Sequence, residues 1–277
     1  MSYPKFSLLM SVYIKEQASY LKESMDSILN QTVLPSEIIL VEDGLLNAEL
    51  NKVIVQYEDL FSRKGVCFNI YKLKKNHGLG VALNYGLNKC RYDLVARMDT
   101  DDISLPNRFE KQLEFMEKNS SISAVGSDVL EFSNNSTDVY YKNMPQKNIL
   151  RFSRLRNPLC HPSVMFRKAD IVLAGGYQSC EKFEDFYLWI RLLKNGFHIT
   201  NIDIPLIRMR ATDEQYSRRR GFNYIGNTIG FAYDAYQIKY FGYIDVIRFV
   251  GSRIATSIIP KSTLVYLYKN KLRQKSK

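Results

Sequence analysis

At 277 residues, with 45% apolar and 24% charged side chains, the chain has the make-up of a globular protein and not of a disordered one. That length holds one large α/β domain, or one domain with a distinct tail. The net charge of +11 is unevenly spread: residues 218–277 carry twelve Lys/Arg against Asp234 and Asp245, so +10 of it falls there and residues 1–217 are close to neutral, which excludes a general polyanion-binding body.

The opening MSYPKFSLLMSVY has a short apolar run without a small-residue cleavage site, and reads as a buried strand rather than a signal peptide. Over the first hundred residues two periods alternate. FSLLMSVY (6–13), EIILVEDG (37–44), CFNIYKLK (67–74) and DLVARMD (93–99) are short and rich in β-formers. Between them Tyr20/Leu21/Met25/Ile28/Leu29, Leu50/Val53/Ile54/Tyr57/Leu60 and Val81/Leu83/Tyr85/Leu87 recur at helical spacing. Strand-helix alternation with near-continuous apolar strands predicts a parallel sheet covered by helices on both faces. Right-handed crossovers then gather the strand C-terminal ends on one edge, where ligands bind.

The predicted strand ends carry chemistry. Strand one ends at Ser11-Val12-Tyr13, strand two at Glu42-Asp43-Gly44, and strand four at Asp99-Thr100-Asp101-Asp102. Each has an ordinary structural role as well: Asp-Gly is a common turn, and Asp102 can cap a helix starting near Leu105-Pro106. Three carboxylates in four positions repel one another, so a metal ion, a nearby Arg or Lys, or water must offset them. In NHGLGVALNYGL (76–87), Gly78 and Gly80 precede a helix whose N-terminal N–H groups attract anions. It is no dinucleotide fingerprint, because it does not follow the first strand and Leu83 stands at the third glycine position.

Further along, SAVGSDVLEFS (123–133) reads as a strand, NPLCHPSVMFRK (157–168) as a turn and strand, and GGY (175–177) as a turn. EKFEDFYLWIRLLKNGF (181–197) becomes an amphipathic helix with Glu184 and Asp185 in its first turn, where the helix dipole favours negative charge. In YIDVIRFVGSRIATSII (243–259), Ile247, Val250, Ile254 and Ile258 form one stripe. No uncharged apolar run reaches the roughly 18 residues of a membrane span. A cationic, Tyr/Phe-rich amphipathic helix suits the surface of an anionic bilayer, and packing on the body is the alternative. Cys67, Cys90, Cys160 and Cys180 lie far apart with no CxxC pair, which argues against a zinc site or disulfide framework and fits a reducing cytoplasm.

SVYIKE, VEDG, NHGLGVALNYG, ARMDTDD, GGY and EDFYLWIRL occur in the order seen in glycosyltransferase family 2. Over about residues 5–220 the set resembles that family's bacterial O-antigen and exopolysaccharide branch, of the amylovoran-synthesis type. The resemblance implies an α/β GT-A fold, with a mostly parallel central sheet, helices on both faces and C-terminal amphipathic helices. Residues 1–220 would be the catalytic domain, divided into a nucleotide-binding half (1–105) and an acceptor-binding half (106–220), with 221–277 a basic helical tail. The implied activity is inverting transfer of a sugar from a nucleoside diphosphate donor, UDP in particular, to a polyprenyl-diphosphate-linked saccharide. It would occur at the cytoplasmic face of the bacterial inner membrane, reached through the tail.

By the family's pattern, Val12 and Tyr13 border the base and ribose, Asp43 accepts a hydrogen bond from uracil, and Gly78 and Asn84 belong to the donor-binding set. Asp101 is the direct ligand of Mg²⁺ or Mn²⁺, Asp99 lies nearer the ribose, and Asp102 assists either role. Asp185 matches the catalytic base, preceded by the acid Glu184. Two departures stand out. Many members carry Ala-Arg-Asn where this chain has Ala82-Leu83-Asn84, so a nucleotide contact would come from elsewhere, such as Arg97 or Lys75. Some members place a His after the last core strand, and the stretch 207–221 has none, which brings Arg210 and Arg218 to Arg220 forward as diphosphate contacts. His161, in a Cys-His-Pro turn, is a candidate acceptor or pyrophosphate contact. A nucleotidyltransferase usually has a glycine-rich basic loop after strand one, absent here. For a nucleic-acid binder, the neutral body and rim acids are unfavourable.

Overall fold

The computed structural model describes residues 3–134, 136–211, 221–258 and 274–275. β1 (Phe6–Val12) and β2 (Glu37–Glu42) are buried almost without break, as apolar runs are when a sheet is covered on both faces. β3 (Cys67–Lys72) is an edge strand and more exposed. With β4 (Leu94–Arg97) they form a parallel array in the order β3-β2-β1-β4. The crossovers are α1 (Ala18–Leu29), α2 (Ala48–Arg63) and α3 (Leu79–Lys89). Asn47 starts α2 by accepting the Leu50 N–H on Oδ1 at 2.9 Å. Gly86 lets α3 lie close on the sheet, because a Cβ there would stand 2.5 Å from Leu9 Cδ1 and 2.8 Å from Val41 Cγ2.

After β4 the chain forms β5 (Ile103–Ser104), α4 (Arg108–Lys118), β6 (Ile122–Ser133), β7 (Ser136–Lys142) and α5 (Ile149–Ser153). A 3₁₀ turn at His161–Ser163 leads to β8 (Met165–Arg167), α6 (Lys168–Leu173), α7 (Glu184–Lys194) and β9 (His198–Arg210). α8 (Phe222–Gln237), α9 (Tyr243–Ile258) and the short β10 (Gln274–Lys275) complete the described chain. The sheet is parallel only through β4. β8 runs antiparallel to β4 and β6, β7 antiparallel to β6, and β9 parallel to β6, so the GT-A-like sheet is mixed beyond its first four strands. The six-residue α6 is too short to show helical periodicity in sequence.

Each face of the sheet has its own core. One contains Leu8, Met10, Met25, Ile54, Phe61 and Phe109; the other contains Leu9, Val41, Leu83, Phe166, Trp189 and Leu192. A third cluster joins residues on the two sides of position 220. Phe183, Phe186 and Ile190 around α7 pack with Phe231, Phe241 and Phe249 of the C-terminal helices, the Phe186 and Phe231 rings lying 4.7 Å apart. The inward side of α9 is Val246, Phe249 and Val250, while Ile247 of the anticipated stripe is exposed. Arg218 to Arg220 and 259–273 lie outside the described residues.

Candidate active site

The rim formed by the ends of β1, β2 and β4 carries the acids. Asp99, Asp101 and Asp102 offer ligand oxygens that all lie within 4.8 Å of one another. Each is held differently. Asp99 is ion-paired with Arg97, a guanidinium only 1% exposed at the end of β4. Asp102 is buried; its Oδ1 accepts the Arg210 N–H at 2.8 Å and its Oδ2 has no partner among the described residues. Asp101 is half-buried, and burial together with the charges of Asp99 and Glu16 pushes its carboxyl up to about 7. Burial, reinforced by Asp101 and Asp99, also lifts Asp102 well above the usual carboxylate range.

Two further guanidinia hold this loop. Arg108, fully buried, donates to the Arg97 carbonyl at 2.6 Å and to Ser104 Oγ at 3.0 Å. Arg210 donates to the Asp101 carbonyl at 3.0 Å and to Glu23 Oε2 at 2.6 Å, with its guanidinium 3.9 Å over the Tyr20 ring. Arg210, expected as a diphosphate contact, thus also braces the acid loop. Glu16, whose Oε2 accepts the Thr100 hydroxyl at 2.8 Å, adds a fourth nearby acid that motif reading passed over.

Other expected residues have structural partners. Val12 is a core side chain, 1% exposed, and its carbonyl accepts the Asp43 N–H at 2.8 Å. The neighbouring Tyr13 is half-buried just beyond the strand. Asp43 accepts the His77 and Gly78 N–H groups at 2.8 and 2.9 Å, which ties the loop after β3 to the end of β2. Gly44 permits that approach: its φ is +91°, and a Cβ would meet Asn76 N at 2.9 Å. The Gly78 N–H is therefore already engaged by a carboxylate, contrary to a free phosphate cradle. Asn84 accepts the Tyr177 N–H of the GGY turn at 3.1 Å. His161 is likewise internal: Nε2 meets the Tyr177 hydroxyl at 2.8 Å and the ring lies edge-on to Trp189. Burial and the charge of Arg97 hold His161 well below its usual pKa. Arg97 itself is buried and paired with Asp99, and its Nε and Nη1 have no partner among the described residues.

Asp185 and Glu184 begin α7, whose N-cap residue Phe183 makes no side-chain cap. Burial raises both carboxyls above their usual range. Asp185 Oδ2 accepts Asn157 Nδ2 at 2.6 Å, and the charge of Arg97 also favours its ionised form. Arg97, paired with Asp99, and Asp99 itself both act electrostatically on Asp185, so the start of α7 lies within electrostatic reach of the end of β4. Sequence reasoning missed Asn157 because only the fold brings the segment before β8 to α7.

The acid trio fits a hard divalent cation. It supplies oxygen donors, an unpartnered buried Oδ2 on Asp102, and three like charges for which Arg97 gives only partial compensation. Asp101, Asp102 and the second oxygen of Asp99 are the groups that would hold it.

The glycosyl transferase family 2 model matches residues 7–173, from β1 through α6. Over 273 residues the chain is 41% identical to a UDP-Gal:alpha-D-GlcNAc-diphosphoundecaprenol beta-1,3-galactosyltransferase of Escherichia coli, covering 98% of each. It is 36% identical over 265 residues to the amylovoran biosynthesis glycosyltransferase AmsE of Erwinia amylovora, covering 95% of this chain and 97% of AmsE. Among solved structures, mannosyltransferase PcManGT from Pyrobaculum calidifontis, in complex with GDP-Man and Mn²⁺, superposes with a TM-score of 0.65 at 11% identity over 96% of this chain and 79% of that one. S. aureus TarS 1–349 in complex with UDP-GlcNAc superposes with a TM-score of 0.62 at 15% identity, over 94% of this chain and 69% of that one. Against the longer TarS chain the coverage of that chain is 41%. The structural matches carry the fold, and the sequence matches carry the family: the chain belongs to glycosyltransferase family 2 and is a glycosyltransferase.

Proposed function

We propose that this enzyme transfers a hexose or N-acetylhexosamine from a UDP-sugar, with inversion, to a saccharide linked to a polyprenyl diphosphate during surface-polysaccharide assembly. The 41% identical galactosyltransferase, aligned over nearly the whole of both chains, makes UDP-galactose the first donor to test. The observation that carries the reading is the cluster of three acids after β4, with Asp185 at the start of α7 within reach of the charges of Arg97 and Asp99. Mg²⁺ or Mn²⁺ at the trio would supply positive charge to a leaving nucleoside diphosphate. Asp185 would take the acceptor hydroxyl's proton, with Glu184 beside it. Tyr13 and the Asp43-braced loop would border the nucleoside, and Asp43 keeps lone-pair capacity for a ring N–H beyond the two backbone bonds it already accepts.

The same reading places the enzyme at the cytoplasmic face of the inner membrane. No helix among the described residues is long and apolar enough to cross a bilayer. Tyr233, Tyr236, Tyr243, Ile244 and Ile247 are exposed on α8 and α9, and the basic residues Arg218 to Arg220 and 261–277 flank these helices in sequence. That combination suits shallow binding to an anionic surface. Two experiments test the proposal. UDP with Mn²⁺ should raise the Tm more than UDP alone, and no response to any nucleoside diphosphate would refute the donor assignment. Vesicles rich in phosphatidylglycerol should float the protein, and a Tyr243→Ser/Ile244→Ser/Ile247→Ser variant should float less; equal flotation would remove α9 from the membrane contact.

A further inference from the structure

Asn157 opens the segment NPLCHP between α5 and β8. The segment does not need its side chain to stay in place. The Pro158 carbonyl accepts Asn201 Nδ2 of β9 at 3.0 Å, Leu159 is buried in a core, and His161 is bonded to Tyr177. Proline at 158 also restricts the backbone of Asn157 to extended conformations. From this anchored segment the amide points to α7, where Nδ2 donates to Asp185 Oδ2 at 2.6 Å. Oδ1 accepts the Leu159 N–H at 3.4 Å, so the donor end of the amide faces the carboxylate.

We infer that Asn157 is the positioning residue of the catalytic base: it holds one oxygen of Asp185 so that the carboxylate presents its remaining acceptor capacity to the incoming hydroxyl. This rests on the reading of Asp185 as the base. The Phe186 backbone N–H also bonds the Asp185 carboxylate, and the Asn157 amide adds a side-chain donor from a separate segment that fixes its orientation. The bond also favours the ionised carboxylate, against the burial that raises its pKa. The other charged or titratable groups facing Asp185 are Arg97 on β4, Asp99 beyond its end, Glu184 on α7, and Tyr177 and Cys180 between α6 and α7.

The test compares Asn157→Ala, Asn157→Ser and Asp185→Asn in the full chain, with UDP-galactose and a short-chain GlcNAc-diphospholipid as substrates. Asn157→Ala should lower kcat by about 10–100-fold with donor KM nearly unchanged, as for a group displaced by about an ångström. Asn157→Ser, which keeps a donor, should recover part of the loss. Independently of substrate, the Asp185 carboxyl, followed by ¹³C NMR and assigned by its absence in Asp185→Asn, should titrate at higher pH in Asn157→Ala. An unchanged titration, or a lower Tm with unchanged kcat, would overturn the positioning role. A loss of less than tenfold in Asp185→Asn would instead overturn the base assignment beneath it, so the two failures are distinct.

Discussion

The two acid groups on this rim use the same side chain under opposite conditions. After β4, Asp99, Asp101 and Asp102 stand within 4.8 Å of one another, and one buried oxygen has no partner among the described residues. At the start of α7, Asp185 receives a neutral amide and the field of a cation. The first group retains a deficit of positive charge that a divalent ion can fill, whereas the second is arranged to remain an anion able to take a proton. Arg97 reaches both, paired to Asp99 and favouring the ionised forms of Asp101, Asp102 and Asp185. Environment, not residue type, divides the work.

Substitution separates the two groups most sharply at Asp185. Asp185→Asn should reduce transfer by about 10²–10⁴-fold, the usual contribution of a general base, with Tm and UDP affinity near wild type. A fall of less than tenfold would break the comparison. The next effect is on stability. Asp101, pushed up to about 7 from an ordinary 3.8, retains in the folded protein a proton that the unfolded chain releases. Stability of the protein in EDTA should therefore be highest below about pH 4 as far as this group is concerned, and be lost as pH rises through about 7, by about 1–4 kcal/mol. Asp101→Asn should flatten that part of the slope in urea titrations, and Mn²⁺ should offset it in the wild type. A slope unaltered by the substitution would mean that the trio is not strained by its own charge. Smaller still is the effect expected at Glu184. Glu184→Gln should change kcat less than tenfold in steady-state assays, because the proton goes to its neighbour. Gly80→Ala, whose Cβ would sit 3.0 Å from Glu184 Cγ, should shift that flexible side chain and leave stability within about 1 kcal/mol.

The parallel half of the fold was legible because its strands are continuous apolar runs and its helices are long enough to show periodicity. The acid motifs were legible for the same reason: each lies at the end of such a strand. What sequence did not show depends on contacts across the chain. Val12, Asn84, His161 and Arg210 each have an internal partner that sequence did not show: the core, the GGY turn, Tyr177 and the acid loop. Asn157 shows the converse, an ordinary residue before proline that gains its place only when β8 and α7 are assembled. The tail was misleading in part because charge identifies a partner-facing surface but not the side that packs. Phe249, in the middle of the basic stretch, is fully buried against α7 and α8.

Calorimetric titration of UDP with Mn²⁺ into Asp101→Asn and Asp185→Asn tests the division of labour most directly. The account predicts that Asp101→Asn loses the Mn²⁺-dependent part of UDP binding, while Asp185→Asn binds as the wild type does yet transfers sugar about 10²–10⁴-fold more slowly. Wild-type binding by Asp101→Asn, or loss of UDP binding in Asp185→Asn, would contradict it.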